Sequence, residues 1–326
     1  MAKKFSISLL FLVSAGFLSL CLGAARLSPA QLWQALLMGP RNTAGYIFWY
    51  VRLPRTAACI LAGSGLAVSG AVIQRVLQNS LASPSIIGVN AGAGLSVTLA
   101  CAAGLLSGWA IAGAAFFGAM AAVLLIVLAA EKAGASRTTV ILGGVAVNAI
   151  LNALSEAVTV LIPEAGMLAG DFRVGGFSSV SWPRLLPAGA LILAALAILF
   201  SLRNVLDVLA LGEETAQGLG LSVRIVRTVF LVLAAALAGA AVSFGGLLGF
   251  VGLIVPHAVR KISGSESRFL LPLSAIFGGA FVTFCDITAR MLFAPYELPV
   301  GILLSVLGGP AFLWLLWKRK GGRQYA

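Results

Sequence analysis

Few residues in this chain are of types that do chemistry, and most of those few are grouped. Between residues 138 and 161, Asn148, Asn152, Ser155 and Thr159 recur at steps of four, three and four, with Glu156 beside them. At helical periodicity that spacing lays amides and hydroxyls along one face. On an apolar helix such a face either borders water along a pathway or forms a ladder of hydrogen bonds to neighbouring helices, and the pathway is the preferred reading. Asp286 and Arg290 stand four apart, a spacing that predicts a structural ion pair. Arg52 and Arg55 flank Pro54, where exposed guanidinium groups would suit the carboxylates of an acidic partner, with lipid phosphate as the alternative. The charged stretch from Arg203 to Arg227 holds Asp207, Glu213 and Glu214 among Gly212, Gly218 and Gly220. It reads as a short helix between two turns at a membrane surface, suited to docking a cytoplasmic partner.

Other chemistries find no support. The single histidine, His257, follows Pro256 without Cys or acidic company and is a poor metal ligand, better read as hydrogen-bonded at a helix break. Cys21, Cys59, Cys101 and Cys285 lie in apolar runs without ligand spacing and read as small buried hydrophobes. No metal site, cofactor or catalytic constellation is expected. No G-x-x-x-x-G-K-[ST] loop occurs, so the chain cannot use ATP by that route.

The elements that position these residues follow from composition. A chain that is 60% hydrophobic and 10% charged cannot cover a soluble globule with wetted side chains. In lipid only helix bundles and closed barrels satisfy every backbone group, and continuous Ala-, Leu- and Gly-rich runs exclude the alternation of barrel strands. The expected class is therefore all-α, a polytopic membrane protein, with residues 1–326 forming one membrane domain. The net charge of +12 does not indicate nucleic acid, because the basic residues sit at the ends of apolar runs.

With about 20 apolar residues needed per span, ten transmembrane helices fit between the charges. They are expected over 5–25, from Arg55 to about Leu77, twice between Arg75 and Glu131 with a joint at Gly104 to Gly108, then 138–161 and Leu185 to Leu202. Thr228 to Val259 should hold one full helix and one short one, and Phe269 to Ala289 and Pro299 to Trp317 complete the set. The uncharged run from Phe5 to Ala25 exceeds the roughly 7 to 15 residues of a signal-peptide core, so an uncleaved first span is expected. With both termini inside, only Arg26, Arg41, Arg52, Arg55, Arg173, Arg184 and Arg290 lie outside, leaving fifteen of the 22 basic residues on the inner face, as the positive-inside rule asks. Gly70 to Gly88 and Gly239 to Arg260 are both apolar stretches broken by Gly and Pro, the mark either of a transporter repeat or of two unrelated breaks.

A set of motifs then resembles one family, the FecCD-type permeases of bacterial importers for siderophores, haem and vitamin B12. The motifs are Arg52-Leu53-Pro54-Arg55; Gly70-Ala71-Val72-Ile73-Gln74 with Asn79-Ser80-Leu81-Ala82-Ser83-Pro84; Leu211-Gly212-Glu213-Glu214-Thr215-Ala216 with Leu219-Gly220; Gly249-Phe250-Val251-Gly252-Leu253-Ile254-Val255-Pro256-His257 with Arg260; and Glu297-Leu298-Pro299-Val300-Gly301 with Gly308-Gly309-Pro310. The resemblance implies the type II ABC importer permease fold in the bacterial cytoplasmic membrane. The implied partners are a second permease subunit, most simply an identical copy, two cytoplasmic ATPase subunits and an extracytoplasmic substrate-binding protein. It further implies that the segment 207–221, through Gly212, Glu213, Glu214, Ala216, Leu219 and Gly220, couples to the ATPase. Arg52, Arg55 and Arg290 would engage acidic residues of the binding protein. Ser136, Arg137 and Thr138 would lie at an inner gate, the fifth and tenth spans would line the path, and Gly175-Gly176-Phe177 with Trp182 would form an outer vestibule. The sequence departs from the family pattern at Ser80, Arg137 and Leu304.

Overall fold

The structure, a computed structural model, describes residues 2–23, 27–132 and 137–320. Ser136, Arg26 and Arg323 lie outside the described residues, as does the side chain of Arg137. The described residues form helices joined by turns, with no strand among them. In chain order α1 covers Ala2–Cys21, α2 Pro29–Met38 and α3 Thr43–Tyr46, which runs through a wider turn, Ile47–Arg52, into α4, Leu53–Val76. Then follow α5 Val89–Ala102, α6 Gly108–Lys132, α7 Arg137–Leu161, α8 Pro163–Leu168, α9 Gly170–Val174 and α10 Trp182–Ser201. The chain continues through α11 Arg203–Ala210, α12 Glu213–Gly218, α13 Val223–Gly245, α14 Val251–Ser263, α15 Ser267–Leu292 and α16 Val300–Lys320.

All ten predicted segments are helical, and seven described helices are long and apolar enough to cross a membrane. The interval 228–259 divides as expected, into α13 of 23 residues and α14 of 13. Between Arg75 and Glu131 only 14 residues are helical in α5, because Gln78 (φ 46°) turns the chain out of α4 and residues 77–88 run irregularly. At 1.5 Å per residue α5 and α14 are about 20 Å long, shorter than the roughly 30 Å hydrocarbon layer.

The centre of the bundle is α4, which packs mainly on α15 and α13. In its most apolar window 83% of the stretch Thr43–Val76 is buried, against 17% for Thr138–Leu161, so α7 is left at the periphery with most of its surface uncovered. Lipid tails are as apolar as Leu side chains, so helices in a membrane hold together by close packing. Here the backbones touch at Gly63 with Gly278 and at Gly70 with Gly252, where no room remains for a Cβ. Gly70→Leu is expected to destabilise the chain by about 1–3 kcal/mol through forced separation of α4 and α14, read as a lower thermal unfolding midpoint in detergent.

Gln74 binds the same place, its Nε2 donating to Gly252 O at 3.1 Å and its Oε1 accepting from Arg260. The two broken stretches that the sequence pairs are thus packed against each other at the ends of α4 and α14.

Candidate functional site

Three clusters carry the polar residues of the bundle. The first closes the end of the bundle at which α1 finishes. Arg52, Arg55 and Arg290 are 3%, 7% and 3% exposed, which corrects the expectation of exposed guanidinium groups. Arg52 Nη1 donates to Leu20 O at 2.6 Å and Cys21 O at 2.8 Å, while Arg290 reaches Leu22 O at 3.4 Å and Ser19 Oγ at 2.9 Å. The last carbonyls of a helix lack intrahelical donors and carry its negative end, so two guanidinium groups from other elements cap α1. Asp286, fully buried, pairs with Arg55 at 2.9 Å and with Arg290 at 3.0 Å, the latter being the predicted i,i+4 pair. Arg55 also pairs with Glu297 at 2.6 Å. Buried guanidinium groups need acceptors in place of water, and these internal ones supply them.

The second cluster is the polar face of α7, which the structure divides. Asn148 Nδ2 donates to Ser85 O at 2.8 Å and Ile86 O at 3.1 Å, satisfying carbonyls that the irregular 77–88 segment leaves free. Ser155 and Thr159 turn toward α9 and α5: Arg173 Nη2 donates to Ser155 Oγ at 2.8 Å and to the Thr98 and Thr159 hydroxyls at 3.1 Å each. Each of these three residues thus has a hydrogen-bond partner on a neighbouring element. Asn152 and Glu156 are instead exposed, on a face they share with Val145 and Val160. Thr138, in the first turn of the same helix, is exposed too. A recess of about 410 Å³ is lined by Gly176, Asp171, Arg184, Ser243 and Glu297 among others, whereas Phe177 is 1% exposed and packs against Phe244. Trp182 donates its indole N–H to Trp49 O at 2.9 Å.

The third cluster is the segment α11–α12, at the end of the bundle where α4 finishes. Leu206, Leu209 and Ala216 are buried and anchor it. Gly212 (φ 122°) and Gly220 (φ 82°) make the turns on either side of α12, in backbone conformations that side chains disfavour. Glu213 forms an ion pair with Arg227 of α13. Glu214, Thr215 and Gln217 are exposed, and so are Leu211 and Leu219 at 64% and 63%. Two uncovered leucines beside a carboxylate form a surface suited to a complementary groove on another protein.

The model of the FecCD transport family matches residues 10–318. The chain belongs to that family. It is 33% identical to the iron-uptake system permease protein FeuC of Bacillus subtilis, over 99% of this chain and 99% of that one. It is 34% identical to the hemin transport system permease protein HmuU of Yersinia pestis, over 97% and 95% of the two chains. A solved structure described as an inward-facing metal-chelate type ABC transporter is 29% identical and superposes with a TM-score of 0.87, covering 98% of this chain and all of that one.

In this FecCD chain the sequence reading left three polar residues without a role. Glu297 was visible only as part of a Glu-Leu-Pro motif, although it shares Arg55 with Asp286. Arg173 carried no signal, since its partners come from helices 14 and 75 residues away. Asp207 stood inside the charged stretch, but Arg75, its partner, lies 132 residues earlier.

Proposed function

We propose that this chain is the membrane-spanning subunit of an ATP-driven importer, carrying an iron chelate or a related metal-containing cofactor across the cytoplasmic membrane. Full-length kinship with permeases named for iron and hemin is the observation that carries this reading. ATP hydrolysis belongs to two separate cytoplasmic subunits, docked on α11–α12 through Glu214, Leu211 and Leu219. A binding protein delivers the cargo at the outer end, so that Arg52, Arg55 and Arg290, held by internal partners, shape the outer rim that it meets. Both termini lie inside.

A second copy of the chain completes the path. The support is α7: a carboxylate and an amide, Glu156 and Asn152, are costly against hydrocarbon and belong where another subunit or water covers them. Two copies facing each other across α7 and α16 would enclose an aqueous route with Thr138, Arg137 and Ser136 at its inner mouth. That route offers the Asn152 amide and the hydroxyls of Thr138 and Ser136, with Glu156 and Arg137 as its charged groups.

Uptake into proteoliposomes tests the reading, with a ⁵⁵Fe-loaded hydroxamate chelate and a haem probe run in parallel. Accumulation is expected only when the ATPase, the binding protein and ATP are all present, and the isolated chain is expected to be inert. Uphill uptake driven by a proton or sodium gradient without ATP, abolished by Glu156→Gln, would replace this reading with that of an ion-coupled transporter.

A further inference from the structure

We propose that Asp207 is the positioning residue that transmits movement of the ATPase-docking segment into the membrane-spanning core, an assignment that rests on the permease reading above. Its carboxylate joins three elements. Asp207 lies on α11, and its Oδ1 accepts from Arg75 Nη2 in the last turn of α4 and, at 2.8 Å, from Ser267 Oγ at the start of α15. The backbone N–H of Ser267 also points to it, 3.1 Å from Oδ1 and 3.3 Å from Oδ2.

Each of these bonds answers a local need. The first N–H groups of α15 have no intrahelical acceptor, its first turn holds no acidic residue, and its N-cap residue Glu266 makes no side-chain capping bond. Asp207 supplies both the acceptor and the negative charge from a different element. Arg75 stands at the opposite, negative end of α4, so the Asp207–Arg75 pair ties a helix start to a helix end through one side chain. The segment can pull on this joint as a unit, because Leu206 and Leu209 fix α11 and α11 itself packs on α4 and α15.

The two helices reached are the centre of the bundle, since α15 is the main neighbour of α4. Of the segment's other ties, Glu213 pairs with Arg227 of α13 through a side chain that is 38% exposed, and Gln78, two residues beyond α4, donates to Ala210 O at 3.0 Å. Displacement of α11 is therefore delivered to α4 and α15 together through Asp207. A water-filled gap or a neutral side chain in its place would let the segment move without them.

The test uses the chain co-purified with its ATPase subunit in nanodiscs, with Cys21→Ser and a reporter, Leu292→Cys, at the outer end of α15. Cys59, Cys101 and Cys285 are buried and stay silent. The readout is the thiol-labelling rate at the reporter before and after ATP with vanadate. Asp207→Asn is expected to keep the ATPase bound and hydrolysing while the nucleotide-driven change in labelling falls about tenfold, the scale of a lost coupling of 1–3 kcal/mol. Asp207→Glu should restore most of the change, and Ser267→Ala, which deletes one bond and keeps the others, should lose part of it. A full labelling response in Asp207→Asn, or loss of ATPase binding in that variant, would overturn the proposal and leave the permease reading standing. Should Asp207→Asn not fold, an undiminished response in Ser267→Ala would overturn it instead. Absence of ATPase binding and of any nucleotide response in the unsubstituted chain would sink the permease reading, and this proposal with it.

Discussion

Asp286→Ala is expected to lower the stability of the folded chain by about 3–5 kcal/mol, the cost of leaving buried charges without their partner. Asp286 is fully buried and serves two guanidinium groups, Arg55 and Arg290, neither of which reaches water. Its loss leaves Arg290 without its carboxylate, and Arg290 in turn holds the carbonyl end of α1. Detachment of α1 should follow, visible as faster proteolysis near residue 23 alongside a lower unfolding midpoint in detergent. The matched control is Glu297→Gln. Its side chain is 31% exposed and Arg55 keeps Asp286, so the expected loss is about 1 kcal/mol or less. Equal effects of the two substitutions would show that Asp286 is not the hub of the arginine cluster.

Leu219→Asp is expected to reduce co-purification of the ATPase subunit by tenfold or more, about the effect of a docking hot spot worth 2 kcal/mol. Leu219 and Leu211 are the apolar part of the exposed face of the α11–α12 segment. A charge at residue 219 would be buried unpaired on docking, which costs more than the lost contact alone. Glu214→Lys should weaken docking as well, through reversal of the one fully exposed carboxylate of α12. Glu213 behaves differently. Because it pairs with Arg227, Glu213→Lys places two cations together and disturbs the segment itself, while Glu213→Gln should leave ATPase binding nearly intact. If Leu219→Asp and Glu214→Lys both co-purify the ATPase at the unsubstituted level, the docking surface lies elsewhere.

Residue order alone determined the class of solvent, the helical architecture and the placing of the ten helical segments, including the full and short pair between residues 228 and 259. These features follow from local runs of apolar residues bounded by charges, and lipid imposes helix on such runs wherever they fall. The Asp286–Arg290 pair was legible for the same reason, being four residues apart on one helix. The partnership of each remaining polar group was decided only by the fold. Asn148, Ser155 and Thr159 share a helical face with Asn152, yet three of them are turned to Ser85, Thr98 and Arg173 and the fourth is left open. Arg52 and Arg55 looked like surface cations until α1, α15 and Glu297 closed over them. Periodicity tells which side chains point the same way along one helix. What stands opposite them depends on contacts between residues up to 271 positions apart, and those exist only once the bundle has packed.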